Sequence, residues 1–114
     1  TMLQKGKPTI LVFFDPDCDH CQEATKGFTA KIDRFKDVQI LMVTIMQFDR
    51  TKKFYKDYKI ADFPNITVTR DAIYDLPKFY KVHSIPDVYV YDKNGKLMKH
   101  YKKDIPVDEI AALF

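Results

Sequence analysis

Apolar and polar positions divide the chain into short blocks. Residues 9 to 14, TILVFF, form a continuous apolar run bounded by Pro8 and by Asp15-Pro16. Such a run predicts a strand buried on both faces. From 18 to 36 the apolar groups fall at Cys21, Ala24, Phe28, Ile32 and Phe35. Steps of three and four predict a helix with one inward face. Asp17 is its candidate N-cap, which places Cys18 in the first turn. VQILMVTI at 38 to 45 predicts a second buried strand, and RTKKFYKDYK at 50 to 59 an exposed basic helix anchored by Phe54, Tyr55 and Tyr58. NITVT at 65 to 69 alternates like a short strand, and LPKFYKV at 76 to 82 suggests a short helix with Pro77 in its first turn. DVYVYD and KLMKHYK then read as two strands with Asn94-Gly95 in the hairpin turn between them. PVDEIAALF starts a last helix at Pro106 and buries Ile110, Leu113 and Phe114.

The order is strand, helix, strand, helix, a short strand-helix piece, a β-hairpin and a helix. The first half predicts a parallel βαβ unit with a right-handed crossover. The hairpin adds antiparallel strands. The expected class is α/β, a mixed central sheet flanked by helices on both faces.

Composition narrows the function classes. The chain has 114 residues, enough for a single domain with one core. A hydrophobic share of 46% with 31% charged residues fits a globular protein. A net charge of +3, from 19 basic and 16 acidic residues, is too mild to argue for nucleic acid. No apolar run approaches the roughly 20 residues of a membrane span. The start, TMLQKGKPT, carries no signal peptide and reads like a piece trimmed from a longer precursor. The lysines of the hairpin (Lys93, Lys96, Lys99, Lys102 and Lys103) read as a solvated face.

Cys18 and Cys21 are the only cysteines. Two are too few for a secreted disulfide scaffold. With His20, His83 and His100 scattered, they are a poor supply for zinc. A C-x-x-C where a buried strand enters a helix suits redox chemistry. Residues three apart share a helix face, within the Cα–Cα range of about 4.4–6.8 Å that a disulfide needs. Unpaired N–H groups at the helix start favour a Cys18 thiolate, the attacking species in exchange. Cys21, one turn deeper, is the candidate resolving thiol. A protonated His20 would favour the thiolate, whereas Asp17 and Asp19 oppose it, so the direction of electron flow stays open. His20 read blandly is a solvent-exposed helix residue, and Glu23 a solvated first-turn acid. The peptide Ile85-Pro86 just before a strand is an ordinary strand-start proline, or a cis bond that sets the Ile85 backbone beside Cys18 to pair with an extended peptide.

FFDPDCDHC at a strand-helix junction, with SIPDVYVYDKNGKL downstream, resembles the thioredoxin fold. FPNITVTRDAIYDLPKFYKVHSIP resembles the strand-helix insert of the TlpA-like group of thiol-disulfide oxidoreductases, in which a Y-x-V-x-x-x-P stretch (here Tyr80, Val82, Pro86) leads into a cis-proline. The resemblance covers nearly the whole chain. It implies a redox-active disulfide between Cys18 and Cys21, with Cys18 as nucleophile, a cis bond at Pro86, and no dissociable cofactor or metal. It implies a monomer acting on protein thiols and disulfides with a redox partner protein. The place implied is the bacterial envelope facing the periplasm, the membrane reached only through an N-terminal anchor; a cytoplasmic place is the alternative. Departures from the family pattern are several. Asp17 stands where tryptophan is common, and Val12 where thioredoxins bury an acid. Ala24 stands where the group often has glutamate, with Glu23 one position early, and Lys26 where a proline kinks the helix. Asp87 follows the cis-proline in place of threonine, an acid expected near the substrate groove. No residue matches the usual proton-transfer acid; Asp15 and Glu23 are the substitutes to test.

Other classes remain open at this point. A thioredoxin-fold copper carrier would use Cys18 and Cys21 with His20 or His83, although such carriers space their cysteines more widely. A non-catalytic binding module of a larger envelope protein would keep its contacts without its thiols.

Overall fold

The computed structural model describes residues 6–71 and 84–114. Strand β1 (Thr9–Phe13) runs parallel to β2 (Gln39–Thr44), and β2 runs parallel to β3 (Ile66–Arg70). On its other side β1 pairs antiparallel with β4 (Asp87–Tyr91), which pairs antiparallel with β5 (Leu97–Lys102). Among the described residues the mixed sheet has five strands in the order β3-β2-β1-β4-β5. The expected strand of the insert is thus, among these, an edge strand. The helix expected over 76–82, with Pro77, Tyr80, Val82 and His83, lies outside the described residues.

Alternation along each strand divides the core in two. Ile10, Val12, Ile40, Met42, Ile66, Val88 and Val90 face one way. They pack against α1 (Asp19–Ala30), α2 (Phe48–Asp57) and α3 (Val107–Ala111) through Cys21, Ala24 and Phe28, through Phe54, and through Val107, Ile110 and Ala111. Leu11, Phe13, Leu41, Val43 and Tyr89 form a second buried cluster on the opposite face. Burial on both faces is why the first two strands read as unbroken apolar runs.

Local differences have tertiary causes. The first helix ends at Ala30, and a 3₁₀ turn (Ile32–Phe35) replaces its last stretch. That turn delivers Phe35, fully buried, against Phe28 at 5.5 Å between ring centroids. In α2 the buried residues are Thr51 and Phe54, while Tyr55 is exposed. Tyr55 therefore does not anchor this helix; Tyr58 does, packed against the core with its ring tilted 4.6 Å from that of Phe54. In the last helix Ile110 is buried as expected, Leu113 is half-buried, and Phe114 is exposed. The hairpin turn is held by the Asp92 carboxylate, which accepts from the Asn94 and Lys96 N–H groups. Gly95 supplies the positive φ of +80° that the turn requires.

Candidate active site

Parallel pairing of β1 and β2 brings their C-terminal ends to one edge of the sheet. The segment 14–18 and the start of α2 therefore emerge side by side. Phe14 N–H donates to the Val43 carbonyl at 3.0 Å, and the Phe14 ring packs 4.8 Å from Phe54. The antiparallel register sets Phe13 opposite Asp87, so the residues before β4 come to the same edge. There the Ile85–Pro86 peptide is cis. Pro86 is buried, and its carbonyl accepts from the Lys103 N–H at 2.9 Å. Ile85 is half-buried, and among the described residues its backbone has no hydrogen-bond partner.

Cys18 is itself the N-cap of α1, with extended backbone angles. Its Sγ accepts from the Cys21 N–H at 3.4 Å, and its N–H donates to the Asp15 carbonyl at 3.0 Å. The sulfur thus occupies the place of a capping oxygen at the positive end of the helix. The sequence-based assignment of the cap to Asp17 is corrected. Asp17 stays one residue outside the helix because its carboxylate turns toward Arg50 of α2. Both cysteines are free thiols; Cys18 is half-exposed and Cys21 is buried, 1% exposed. Burial pushes the Cys21 thiol up, and a hydrogen bond with the Asp15 backbone pulls back. The hydrogen bond and charge of Cys18 and the charge of Asp15 add to the rise.

The other predicted residues divide. His20 turns its Nδ1 toward Asp104, 3.3 Å away beyond β5, and both are exposed. Asp19 is an exposed acid of the first turn. Glu23 is 76% exposed and lies 4.0 Å from Lys26, the solvated acid of the bland reading. Asp15, at 27%, is the less exposed of the two substitute acids and acts electrostatically on Cys21. Asp87 is corrected: it is no acid of an open groove. Its side chain is 1% exposed on the sheet face opposite α1, bonded to His100 Nε2 and accepting from the Tyr89 hydroxyl at 3.2 Å. His100 in turn stacks on Tyr89 at 4.1 Å.

Arg50 is the site residue that sequence reading missed. It lies in a basic helix, far in sequence from the cysteines, and only the β1–β2 pairing brings it beside Asp15 and Asp17. Among the described residues no group of three or more His, Cys, Asp or Glu side chains is arranged to hold a metal ion. His20 is turned away toward Asp104, and His83 lies outside the described residues.

The sheet order, with Cys18 of the C-x-x-C capping a helix and a cis-proline leading into β4, is that of a thioredoxin-type domain. The model of the thioredoxin-like domain family matches residues 1–114, and the chain belongs to that family. Mouse protein disulfide-isomerase A5 is 29% identical over 102 residues, 90% of this chain. The chain spans only 16% of that relative's length. A secreted Mycobacterium tuberculosis disulfide oxidoreductase homologous to E. coli DsbE superposes with a TM-score of 0.80 at 20% identity, covering 95% of this chain and 80% of that one. The exposed lipoprotein thioredoxin Etrx1 of Streptococcus pneumoniae gives a TM-score of 0.72 at 26% identity, covering 96% and 84%.

Proposed function

We propose that the protein exchanges disulfides with protein substrates through Cys18 and Cys21, with Cys18 as nucleophile. The observation that carries this reading is the asymmetry of the pair: a half-exposed sulfur capping a helix, and a buried thiol one turn behind it. The Cys18 thiolate attacks one sulfur of a substrate disulfide. A mixed disulfide forms and the first substrate thiolate leaves. Cys21 then gives up its proton and attacks the Cys18 sulfur, and the second substrate thiolate departs and takes up a proton. The substrate gains two electrons and the Cys18–Cys21 pair loses them; the reverse sequence oxidises a dithiol. The exchange needs no dissociable cofactor. Asp15 is the acid best placed to take the Cys21 proton, since Glu23 points to solvent.

The Ile85 backbone beside the cis-proline suits an extended peptide added in strand fashion. The partners on this reading are protein thiols and disulfides and a redox protein that resets the pair, and the domain works as a monomer. An envelope location, facing the periplasm or its equivalent, draws support from the pneumococcal and mycobacterial proteins, described as exposed and as secreted.

A redox titration tests the reading. The protein is equilibrated across thiol–disulfide buffers, free thiols are trapped by alkylation, and they are counted by mass. The expected result is one reversible two-electron transition. A midpoint near about −270 mV makes the domain a reductant, and one toward about −120 mV an oxidant. No reversible transition sinks the reading.

A further inference from the structure

The turn that delivers Cys18 carries two carboxylates, and one guanidinium reaches both. Arg50 Nη2 lies 3.6 Å from Asp15 Oδ1 and is ion-paired with Asp17 Oδ2. Asp15 is 27% exposed and Arg50 35%, so these charges act on one another more strongly than in bulk water. Asp15 ties the turn together from within. Its Oδ1 accepts from the Asp17 N–H at 2.9 Å, and its carbonyl accepts from the Cys18 N–H at 3.0 Å. Arg50 therefore grips the segment on both sides of Pro16, immediately before the capping sulfur.

We infer that Arg50 is a positioning residue for disulfide exchange: by bridging Asp15 and Asp17 it cancels charge beside Cys18 and holds the 15–18 turn, and so sets the reactivity of the Cys18 sulfur and the midpoint of the pair. This inference rests on the Cys18–Cys21 exchange proposed above. Two carboxylates near a sulfur disfavour its thiolate, and a shared guanidinium offsets part of that repulsion. One nitrogen, Nη2, faces both carboxylates, and the guanidinium carries its charge at every working pH. Weaker stabilisation of the thiolate disfavours the dithiol relative to the disulfide, which moves the midpoint to more negative values. The helix that carries Arg50 is docked separately, through Phe54, buried in the core and packed on Phe14. Arg50 is thus not required to hold α2 in place.

The experiment uses the full chain and four proteins: wild type, Arg50→Gln, Arg50→Lys and Asp17→Asn. Two quantities are measured in each: the rate of Cys18 alkylation against pH in the reduced state, and the midpoint in thiol–disulfide buffers. Circular dichroism checks the fold. Arg50→Gln is expected to slow alkylation at neutral pH by about three- to tenfold and to move its rise to higher pH. The midpoint is expected to fall by about 15–30 mV, the same factors converted for a two-electron couple. Arg50→Lys recovers part of both shifts. Asp17→Asn moves both the opposite way. A folded Arg50→Gln with the wild-type profile and midpoint overturns the inference while leaving the exchange reading intact. Should Arg50→Gln not fold, Arg50→Lys and Asp17→Asn decide, and wild-type behaviour in both overturns it. A wild type without a reversible couple instead fails the exchange reading itself, and the assignment of Arg50 with it.

Discussion

Cys18 and Cys21 are chemically identical residues made unequal by three positions of helix. Cys18 ends an extended segment and receives a backbone N–H; Cys21 is the donor of that N–H and faces the core behind it. Desolvation holds the proton on Cys21, and the charges of Cys18 and Asp15 reinforce it. Brief alkylation of the reduced protein at neutral pH is therefore expected to label Cys18 and spare Cys21, as mapped by peptide mass spectrometry. Cys21→Ser is expected to accumulate a mixed disulfide with a disulfide-bonded protein substrate, visible as a covalent adduct lost on reduction. Equal labelling of both sulfurs would count against the assigned roles. The C-x-x-C and its position were legible in the sequence, because spacing and an apolar run are local properties. The cap was not: Asp17 is a good capping residue by type, but Arg50 draws its carboxylate away.

At the scale of elements, the approach of α1 to α3 is set by Gly27. A Cβ built there would stand 2.8 Å from Val107 Cγ2, on a short, stiff side chain that cannot swing aside. Gly27→Ala gains about 1 kcal/mol in helix propensity but incurs overpacking of about 1–3 kcal/mol. The expected net effect is a loss of about 1 kcal/mol, read as a lower urea midpoint at unchanged m-value. A stabilised variant would show that α3 yields freely. The hairpin and the parallel strands were legible from alternation and from Asn94-Gly95. The break at Lys31 was not, since the 3.6-residue pattern of apolar positions continues through Phe35 and only packing against Phe28 decides how that ring arrives. Asp87 departs from expectation for a similar reason. A strand residue after the cis-proline alternates to one sheet face or the other, and here it falls with Tyr89 and His100, where hydrogen bonds compensate its burial.

For the molecule as a whole, the buried thiol couples stability to pH. In the folded reduced state Cys21 keeps its proton above the ordinary thiol value of 9.0, while the unfolded chain releases it there. The unfolded state then binds fewer protons, so stability falls as pH rises above about 9, by up to about 1.4 kcal/mol per pH unit. Below that window the group contributes no slope. Urea titrations of reduced wild type and reduced Cys21→Ala across this range are expected to diverge, wild type losing stability the faster. Tyr101, raised to about 12 by desolvation and its bond to Glu109, bends stability the same way in both proteins and cancels in the comparison.

The order of the described elements, the α/β class and the place of the dithiol are readable from the chain alone, because each follows from contacts among near neighbours. Apolar runs, helical periodicity, a turn glycine and a C-x-x-C at a strand end are all local. The tertiary structure alone decided which charges surround the sulfurs. Strand pairing joins segments distant in sequence, and it brought Arg50 to Asp15 and Asp17, turned His20 toward Asp104, and enclosed Asp87 beside His100. Charge acts through space rather than along the chain, so the electrostatics of the site became readable only once the sheet had set those distances.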